Sequence, residues 1–519
     1  MRLVPIVRLI ALGALLLTVC GATLVLSRTG PDERYYEYEE VLTLFDTYAA
    51  TYPDIFHREI IGYSGVENEP IWAAKISDNA SVHEPEARLF IHAAQHANEC
   101  NGTGAVMYMI DRLLTRYGVQ SYYTDMVDNL EMWFVPVVNI DGHRKVFEGE
   151  PNWDWWRKTK RDNDENGEYT FPEDGVDTNR NWNFKWARYD STNYWSSRYK
   201  GPYPFSEACV VAIRDLILRE RPVFVMDLHS PDVVSIANRI WYPWYDPDLG
   251  QSGPDTDHFR PISIALGNRC ETEVDGNYVD GDRLAYNSLP KEQCWVYSNT
   301  GICAFLMEVS LQFWWTGSIV DTIAARTGRG NFYLMERALS GPGLTGTVTR
   351  AGTDMPLQAE IVVTQAHDSS IGPRMTEQFH GQYWRLLNAG NYQVTASARD
   401  YDPDTQTIYV SASGWTQLDF QLEPDPAAVD DEELLKSRLL WADTPLRPGG
   451  AVHFRLDRAA DVSLDLLDVT GRQVMSVFRG QLQPGARTVT LDQRVPTGSY
   501  LLRLRTEDVQ VSSKVVVVD

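Results

Sequence analysis

Cysteine is scarce in this sequence. There are six in 519 residues, and no two stand in a Cys-X-X-Cys pair. So sparse a set is neither a disulfide scaffold nor a cysteine-built zinc site. Cys20 lies in the N-terminal segment. The other five, Cys100, Cys209, Cys270, Cys294 and Cys303, are odd in number, so at least one thiol stays free unless chains cross-link. Each reads first as a small buried hydrophobe. Positive charge is also short: Lys plus Arg number 47 against 71 Asp plus Glu, a formal net charge of −24. An acidic surface of that size repels phosphate backbones and argues against nucleic acid as a partner. Compositional extremes are missing too. With 43% hydrophobic and 23% charged residues, disorder, collagen and a polytopic membrane protein are excluded as overall classes.

What is present is enough chain for about three domains at roughly 150 residues each. Sixteen Trp and 26 Tyr suit aromatic-lined clefts as well as cores. The N-terminus carries Arg2 and Arg8, an apolar run from Leu9 to Leu26, and the small residues Gly21 and Ala22 near its end. A basic start, an apolar middle and small residues read as an export signal over 1–27. The run is also just long enough to be retained as an anchor, since spanning needs roughly 17 or more residues. Leu17-Thr18-Val19-Cys20 resembles a lipoprotein cleavage box, with a bulky Val19 where a small residue is expected. All of these readings place the rest of the chain outside the cytoplasm, extracellular or at the cell surface.

Residues 31–338 alternate helical and strand-like stretches, the pattern of an α/β domain with a mixed sheet. Tyr36 to Tyr52 has helical periodicity and stops at Pro53. Four short apolar runs have the form of buried strands: Arg88–Ala93, Met132–Val138, Val223–Leu228 and Cys303–Val309. After Gly341-Pro342-Gly343 the period becomes two, over Thr345–Thr349, Ala359–Thr364, Asn391–Ala398 and Thr407–Ser411. That predicts a β-sandwich over 341–423. An acidic linker follows at 424–438, then a second β-sandwich over 439–519. Its strands are expected at Ala451–Leu456, Val462–Val469, Thr488–Leu491 and Ser499–Thr506.

Three places in the first domain put metal-ligand side chains at strand ends. His96-Ala97-Asn98-Glu99 follows Arg88–Ala93, and a His and a Glu three apart converge once the backbone turns. The HxxE pattern is common, and His83 with Glu86 also fits it. His229 directly follows Val223–Leu228. A lone strand-end His is more often structural, but two His and one Glu make the zinc set that leaves a position open for water. Glu308 sits inside the apolar run Cys303–Val309. An acid there must be paired, bound to a metal or catalytic, because an unpaired buried charge is very costly.

These residues and the segments between them resemble the zinc carboxypeptidases of the carboxypeptidase A type. Trp156-Arg157-Lys158-Thr159-Lys160 resembles the family's WRKTR segment. Val176-Asp177-Thr178-Asn179-Arg180-Asn181-Trp182 resembles GVDxNRNW, and Asn139-Ile140-Asp141-Gly142 resembles the NPDG turn. His229-Ser230, Tyr286, Trp295 and Glu308 follow in the family's order and spacing. The resemblance implies a zinc ion held by His96, Glu99 and His229, with Glu308 as general base and then acid. It implies Arg157 as oxyanion stabiliser and peptide or protein C-termini as partners. Asn179, Arg180 and Lys160 would bind the substrate's terminal carboxylate, and Tyr286 would close over it. Two positions depart from the digestive members. Asn98 stands for the Arg of HARE, and Lys160, a point charge, stands for the last Arg of WRKTR.

Gln293-Cys294-Trp295, and Gly381-Gln382-Tyr383-Trp384-Arg385-Leu386-Leu387 in the following sandwich, resemble the regulatory branch, carboxypeptidases N and E, with its transthyretin-like domain. That branch removes C-terminal Lys or Arg by an acid in the pocket, for which Asp246 is the candidate. The Trp and Tyr beside it leave aromatic or aliphatic specificity open. The last module resembles the sorting domains of type IX secretion substrates in Asp468–Arg472, Gly498-Ser499-Tyr500 and Lys514–Val518. That resemblance implies secretion machinery or outer-surface attachment as a partner.

Asp162 to Glu173 fits the calcium-loop pattern D-x-[DN]-x-[DN]-G-x₅-E at every fixed position. Asp162, Asp164, Asn166 and Glu173 would supply side-chain oxygens and Glu168 its carbonyl, with Gly167 at the turn. The bland alternative is a solvated acidic insertion, favoured by Pro172. For the whole chain, two other readings stand beside a secreted metallocarboxypeptidase: a zinc amidase acting on cell-wall peptides, and a non-catalytic surface binding protein.

Overall fold

The computed structural model describes residues 31–149, 155–189, 191–231, 238–246, 250–272, 277–286, 290–425, 440–442, 446, 450–456, 459–483, 485–491, 495–507 and 510–518. The side chains of 246, 286 and 486 are excepted. The N-terminal signal or anchor at 1–27 and nearly all of the acidic linker lie outside the described residues.

The first domain begins with α1 (Tyr38–Thr51), β1 (Phe56–Tyr63), β2 (Pro70–Ile76), β3 (Val82–His83) and β4 (Ala87–Ala93). It continues through α2 (Asn101–Arg116), α3 (Ser121–Val127), β5 (Leu130–Val135), α4 (Ile140–Phe147), α5 (Ala208–Glu220) and β6 (Phe224–His229). Then come β7 (Arg239–Asp246), β8 (Gln251–Ser252), α6 (Thr256–Gly267), β9 (Asp280–Tyr286), α7 (Glu292–Thr300), β10 (Cys303–Glu308) and α8 (Ser318–Ser340). Glu37 and Glu40 close a capping box on α1, whose Val41, Phe45 and Tyr48 recur at helical spacing and are buried.

The sheet has the order β1-β2-β5-β4-β6-β10-β7-β8, with β9 on β7. Its centre, β5-β4-β6-β10, is parallel, and β1, β2 and β7 add antiparallel pairs. All seven residues of β4 and all six of β5 are buried. Helices cover central parallel strands on both faces, so their sequences are continuously apolar rather than alternating. The four apolar runs picked out above are these central strands, β4, β5, β6 and β10. The five cysteines after Cys20 are all buried and free, as small core hydrophobes are.

The second module holds β11 (Gly343–Arg350), β12 (Ala359–Val363), β13 (Gln382–Arg385), β14 (Gly390–Ala398), β15 (Asp404–Val410), β16 (Trp415–Gln417) and β17 (Phe420–Leu422). The third holds β18 (Leu440–Ala442), β19 (Ala451–Leu456), β20 (Ala460–Leu467), β21 (Gln473–Leu482), β22 (Gly485–Thr490), β23 (Gly498–Arg505) and β24 (Gln510–Val517). Each module has its own apolar cluster.

The three units meet at one junction. Buried Glu131 accepts from Lys75 at 2.5 Å and from Arg88, and Arg88 reaches Glu377 of the second module at 3.2 Å. The Phe379 ring stacks on His83 with centroids 3.6 Å apart. β22 of the third module pairs with β3 of the first, and Thr488 Oγ1 lies 3.1 Å from His83 Nε2. This pairing was not legible in the sequence, because β3 is only two residues long.

Candidate metal centre

β4, β6 and β10 run parallel, and their carboxyl ends form one rim of the sheet, the place where open α/β sheets put their sites. His229 and Glu308 are the last residues of β6 and β10 and stand opposite each other in register. β4 ends at Ala93, and the turn after it carries His96 and Glu99 into the start of α2. Two glycines let the loops close on this rim. Gly175 has φ +81, and a Cβ there would lie 2.0 Å from the Thr159 carbonyl oxygen. A Cβ on Gly142 would lie 2.6 Å from the Lys158 oxygen. The segment Trp156–Lys160 therefore packs directly on backbone at both positions.

The structure brings His96, Glu99 and His229 together, each only 2% exposed. His229 Nδ1 lies 2.7 Å from Glu99 Oε2 and 2.9 Å from His96 Nδ1, and His96 Nδ1 lies 2.9 Å from Glu99 Oε1. The outward nitrogens are held by further carboxylates. Asp177 Oδ1 stands 3.0 Å from His96 Nε2, and Asp227 Oδ2 stands 2.6 Å from His229 Nε2. An imidazole whose far nitrogen donates to a carboxylate turns the lone pair of its near nitrogen inward, the arrangement that makes it a metal ligand. Three carboxylates thus surround two imidazoles. Burial opposes a charged His229, yet Asp227 and Glu99 outweigh it and raise the pKa of the ring well above its ordinary value. A site with this field attracts a cation. Two nitrogens and one oxygen at one point are a donor set that suits zinc.

Arg157 donates from Nη1 to Glu99 at 2.9 Å and from Nε to Asp177 at 3.1 Å, and its side chain is 22% exposed. Burial works against its charge, but Asp177 and then Glu99 raise its pKa. Arg180 is 6% exposed. Its Nη1 donates to the Asn179 carbonyl at 2.6 Å, and its Nε has no hydrogen-bond partner among the described residues. The side-chain oxygen of Asn179 accepts the Glu292 N–H at 3.0 Å, and its amide nitrogen is 3.4 Å from His229 Nε2. Lys160 Nζ donates to Glu67 at 2.5 Å and stands over the Tyr169 ring. An ion pair with Glu67 is what the structure gives Lys160. The backbone of Tyr286 pairs with Tyr245, while its side chain and that of Asp246 lie outside the described set.

Three residues of this region were missed in the sequence. Asp177 sits inside the segment Val176–Trp182 without a role of its own there, and Asp227 precedes His229 by two, the spacing that shares a strand face. Lys291 caps the start of α7. Burial lowers its pKa, Arg180 adds to that, and Cys294 and then Glu308 pull the other way.

The Asp162–Glu173 loop is folded on itself. Asp162 accepts the N–H groups of Asn166 (3.2 Å) and Gly167 (2.8 Å), and Asn166 Oδ1 accepts from Glu168 at 2.7 Å. Asp164 and Asp174 join Asp162 in one acidic group. Asp174 closes the loop by accepting the N–H groups of Asn163 and Thr170, both at 2.8 Å.

The family described as Zinc carboxypeptidase matches residues 41–318. The chain belongs to the zinc carboxypeptidase family. A Carboxypeptidase regulatory-like domain matches residues 343–423, so the second module is of that kind. The family implies zinc, and nothing in its match supports calcium. Carboxypeptidase D of Anas platyrhynchos is 26% identical over 430 residues, covering 77% of this chain and 27% of that protein. Carboxypeptidase D of Homo sapiens is 24% identical over 410 residues, 75% of this chain and 27% of that protein. The chain therefore spans about a quarter of the length of these relatives. Carboxypeptidase B of Astacus astacus is 27% identical over 226 residues, 43% of this chain and 69% of that protein. Among solved structures, carboxypeptidase A from Helicoverpa armigera matches with TM-score 0.49 and 21% identity over 59% of this chain and 73% of that one.

Proposed function

We propose that the chain is a secreted zinc metallocarboxypeptidase that hydrolyses the C-terminal bond of peptides or proteins. The observation that carries this is the inward-facing donor set of His96, Glu99 and His229, each imidazole anchored by its own carboxylate. When bound, zinc supplies a Lewis acid that lowers the pKa of a water from 15.7 towards ~7. Glu308, across the strand pair from His229, takes a proton from the attacking water and delivers it to the leaving amine. Arg157, on the partly exposed side of the centre, donates to the oxyanion as the carbonyl becomes tetrahedral.

The terminal carboxylate is held by Arg180 and Lys291 in this reading. Two cations that disfavour one another are relieved by an anion between them, and the buried Nε donor of Arg180 is available to it. Asn179 then acts from behind, by fixing the first residue of α7, while Tyr286 closes the pocket as the family resemblance implies. A clamp for a free carboxylate makes an exopeptidase, because only a chain end presents that group. We further propose that residues 1–27 direct export and that 439–519 serve sorting. No helix of the described residues is long and apolar enough to cross a membrane.

Mass spectrometry of a peptide library after incubation with zinc-loaded protein tests the reading. Stepwise loss of single C-terminal residues is expected, and the residues lost report the side-chain preference. Internal cuts, or no cleavage, would overturn it.

A further inference from the structure

Between the first domain and the regulatory-like module lies a cavity of about 50 Å³, counted as space open to the centre of a water molecule. In a chain of formal charge −24 its walls are unusual: Arg221, Arg374 and Arg385 line it together with a single carboxylate, Asp255. That carboxylate is already committed. It accepts from Arg374 Nη2 and, at 2.8 Å, from the Tyr297 hydroxyl, and it lies 3.6 Å from Arg385 Nη2. Arg374 spends its other arm on the Gly301 carbonyl at 3.0 Å.

Arg221 and Arg385 are not satisfied in this way. Arg385 is 5% exposed, its Nη2 has no hydrogen-bond partner among the described residues, and its Nη1 reaches only a long 3.4 Å to the Ile361 oxygen. Burial pushes its pKa down to about 9, with Arg374 adding to the effect and Asp255 resisting it. Arg221 ends α5 in the left-handed conformation, φ 47. It is partly buried with no ion pair among the described residues, and burial lowers its pKa to about 10. Three guanidinium charges against one carboxylate leave an excess of two positive charges around a small space, and for the buried Arg385 an unmatched charge is costly.

We infer that this cavity binds a small tetrahedral oxyanion, inorganic phosphate being the simplest, between Arg221 of the first domain and Arg385 of the second module. The size decides against larger anions. A water needs at least ~10–15 Å³ by this measure, so the space takes a few water-sized groups and no nucleotide. Charge and shape agree, since guanidinium forks match phosphate oxygens. Val223 and Cys303, just before and at the start of β6 and β10, line the cavity, whereas His229 and Glu308 end those strands. Six residues at ~3.3 Å each put the two places on the order of 20 Å apart. The anion would therefore tie the two units together at the opposite rim from the metal centre, and its binding does not depend on the hydrolytic reading.

The test uses the full zinc-loaded chain, with calorimetric titration and thermal unfolding in 0–10 mM sodium phosphate against sodium chloride of equal ionic strength. Phosphate is expected to bind and to raise the unfolding temperature, and a tenfold excess over Kd shifts the unfolding equilibrium about elevenfold. Arg221→Gln leaves the Asp255 pairs untouched and is expected to bind phosphate about 10–100-fold more weakly, the worth of a charge-assisted hydrogen bond. Arg221→Lys keeps the charge without the fork and is expected to fall between. The proposal is overturned if wild type takes up no phosphate under these conditions. It is equally overturned if both variants, or Arg221→Lys together with an unfolded Arg221→Gln, bind it as wild type does.

Discussion

Asp227 Oδ2 lies 2.6 Å from His229 Nε2, two residues earlier on the same strand. Alternation along β6 puts both side chains on one face. The strand itself therefore aims the carboxylate at the far nitrogen and leaves Nδ1 for the centre. Across the loops, Asp177 does the same for His96.

Asp227→Asn should weaken zinc binding by about 10–100-fold, the usual cost of losing a carboxylate behind a metal-bound imidazole. Competition with a chromogenic chelator measures it. A change under threefold would show that the strand backbone alone orients the ring. Chelator treatment of wild type should lower the unfolding temperature, with recovery on adding zinc, because the ion binds the folded state.

Glu308→Gln should keep stoichiometric zinc and lose about 10²–10⁴-fold in turnover. Metal content and kcat are read on the same preparation. Retained zinc with activity within tenfold of wild type would remove Glu308 from the proton path.

Arg180→Ala and Lys291→Ala should each raise KM for peptides with a free C-terminus far more than for their amidated forms. Loss of a charge-assisted hydrogen bond corresponds to about 1.5–3 kcal/mol, roughly 10–100-fold. If wild type cleaves amidated and free peptides equally, the carboxylate clamp is absent.

Gly175→Ala should destabilise the first domain, because the residue has φ +81 and a Cβ would overlap the Thr159 oxygen. A loss of about 1–3 kcal/mol in urea unfolding is expected. An unchanged midpoint would mean that the loop has another conformation.

Glu292 offers a test by pH. It lies behind the centre and contacts His92 at 2.8 Å and the Gln95 amide. Burial raises its pKa to about 8, against the pull of His229 and Gln95. Between the ordinary value of 4.5 and about 8, the unfolded chain has lost this proton while the folded chain retains it. The folded state then binds more protons, so this group lowers stability as pH rises through that window. Glu292→Gln should remove the slope. The variant should gain on wild type from pH 5 to pH 8 in denaturant titrations and gain nothing more above that. Parallel curves would place the ionisation elsewhere.

The central strands were legible because β4, β5, β6 and β10 are buried on both faces and read as unbroken apolar runs. His96, Glu99, His229 and Glu308 were legible because each stands where such a run ends. Less was readable where a role depends on partners distant in sequence. The partner of Lys160 in the fold is Glu67, 93 positions away. The Glu292 N–H that fixes the Asn179 oxygen comes from 113 positions away. β21 and β24 were not set out as strands, because β21 is half polar and β24 was noted only for its terminal run. In the structure β24 pairs with β23 from Gly498↔Val517 to Arg505↔Gln510.

The pairing of β22 with β3 changes what a cut in the connecting segment 426–439 would do. The third module is joined to the rest by more than the covalent chain: Thr488 meets His83 of the first domain, and Arg455 donates to the Phe379 carbonyl of the second module at 2.7 Å. A protease that severs the tether would leave two fragments still docked as one particle, and gel filtration would elute them together. The module is therefore seated like a plug rather than hung as a removable tag, and releasing it means prising it off β3 as well as cutting the chain.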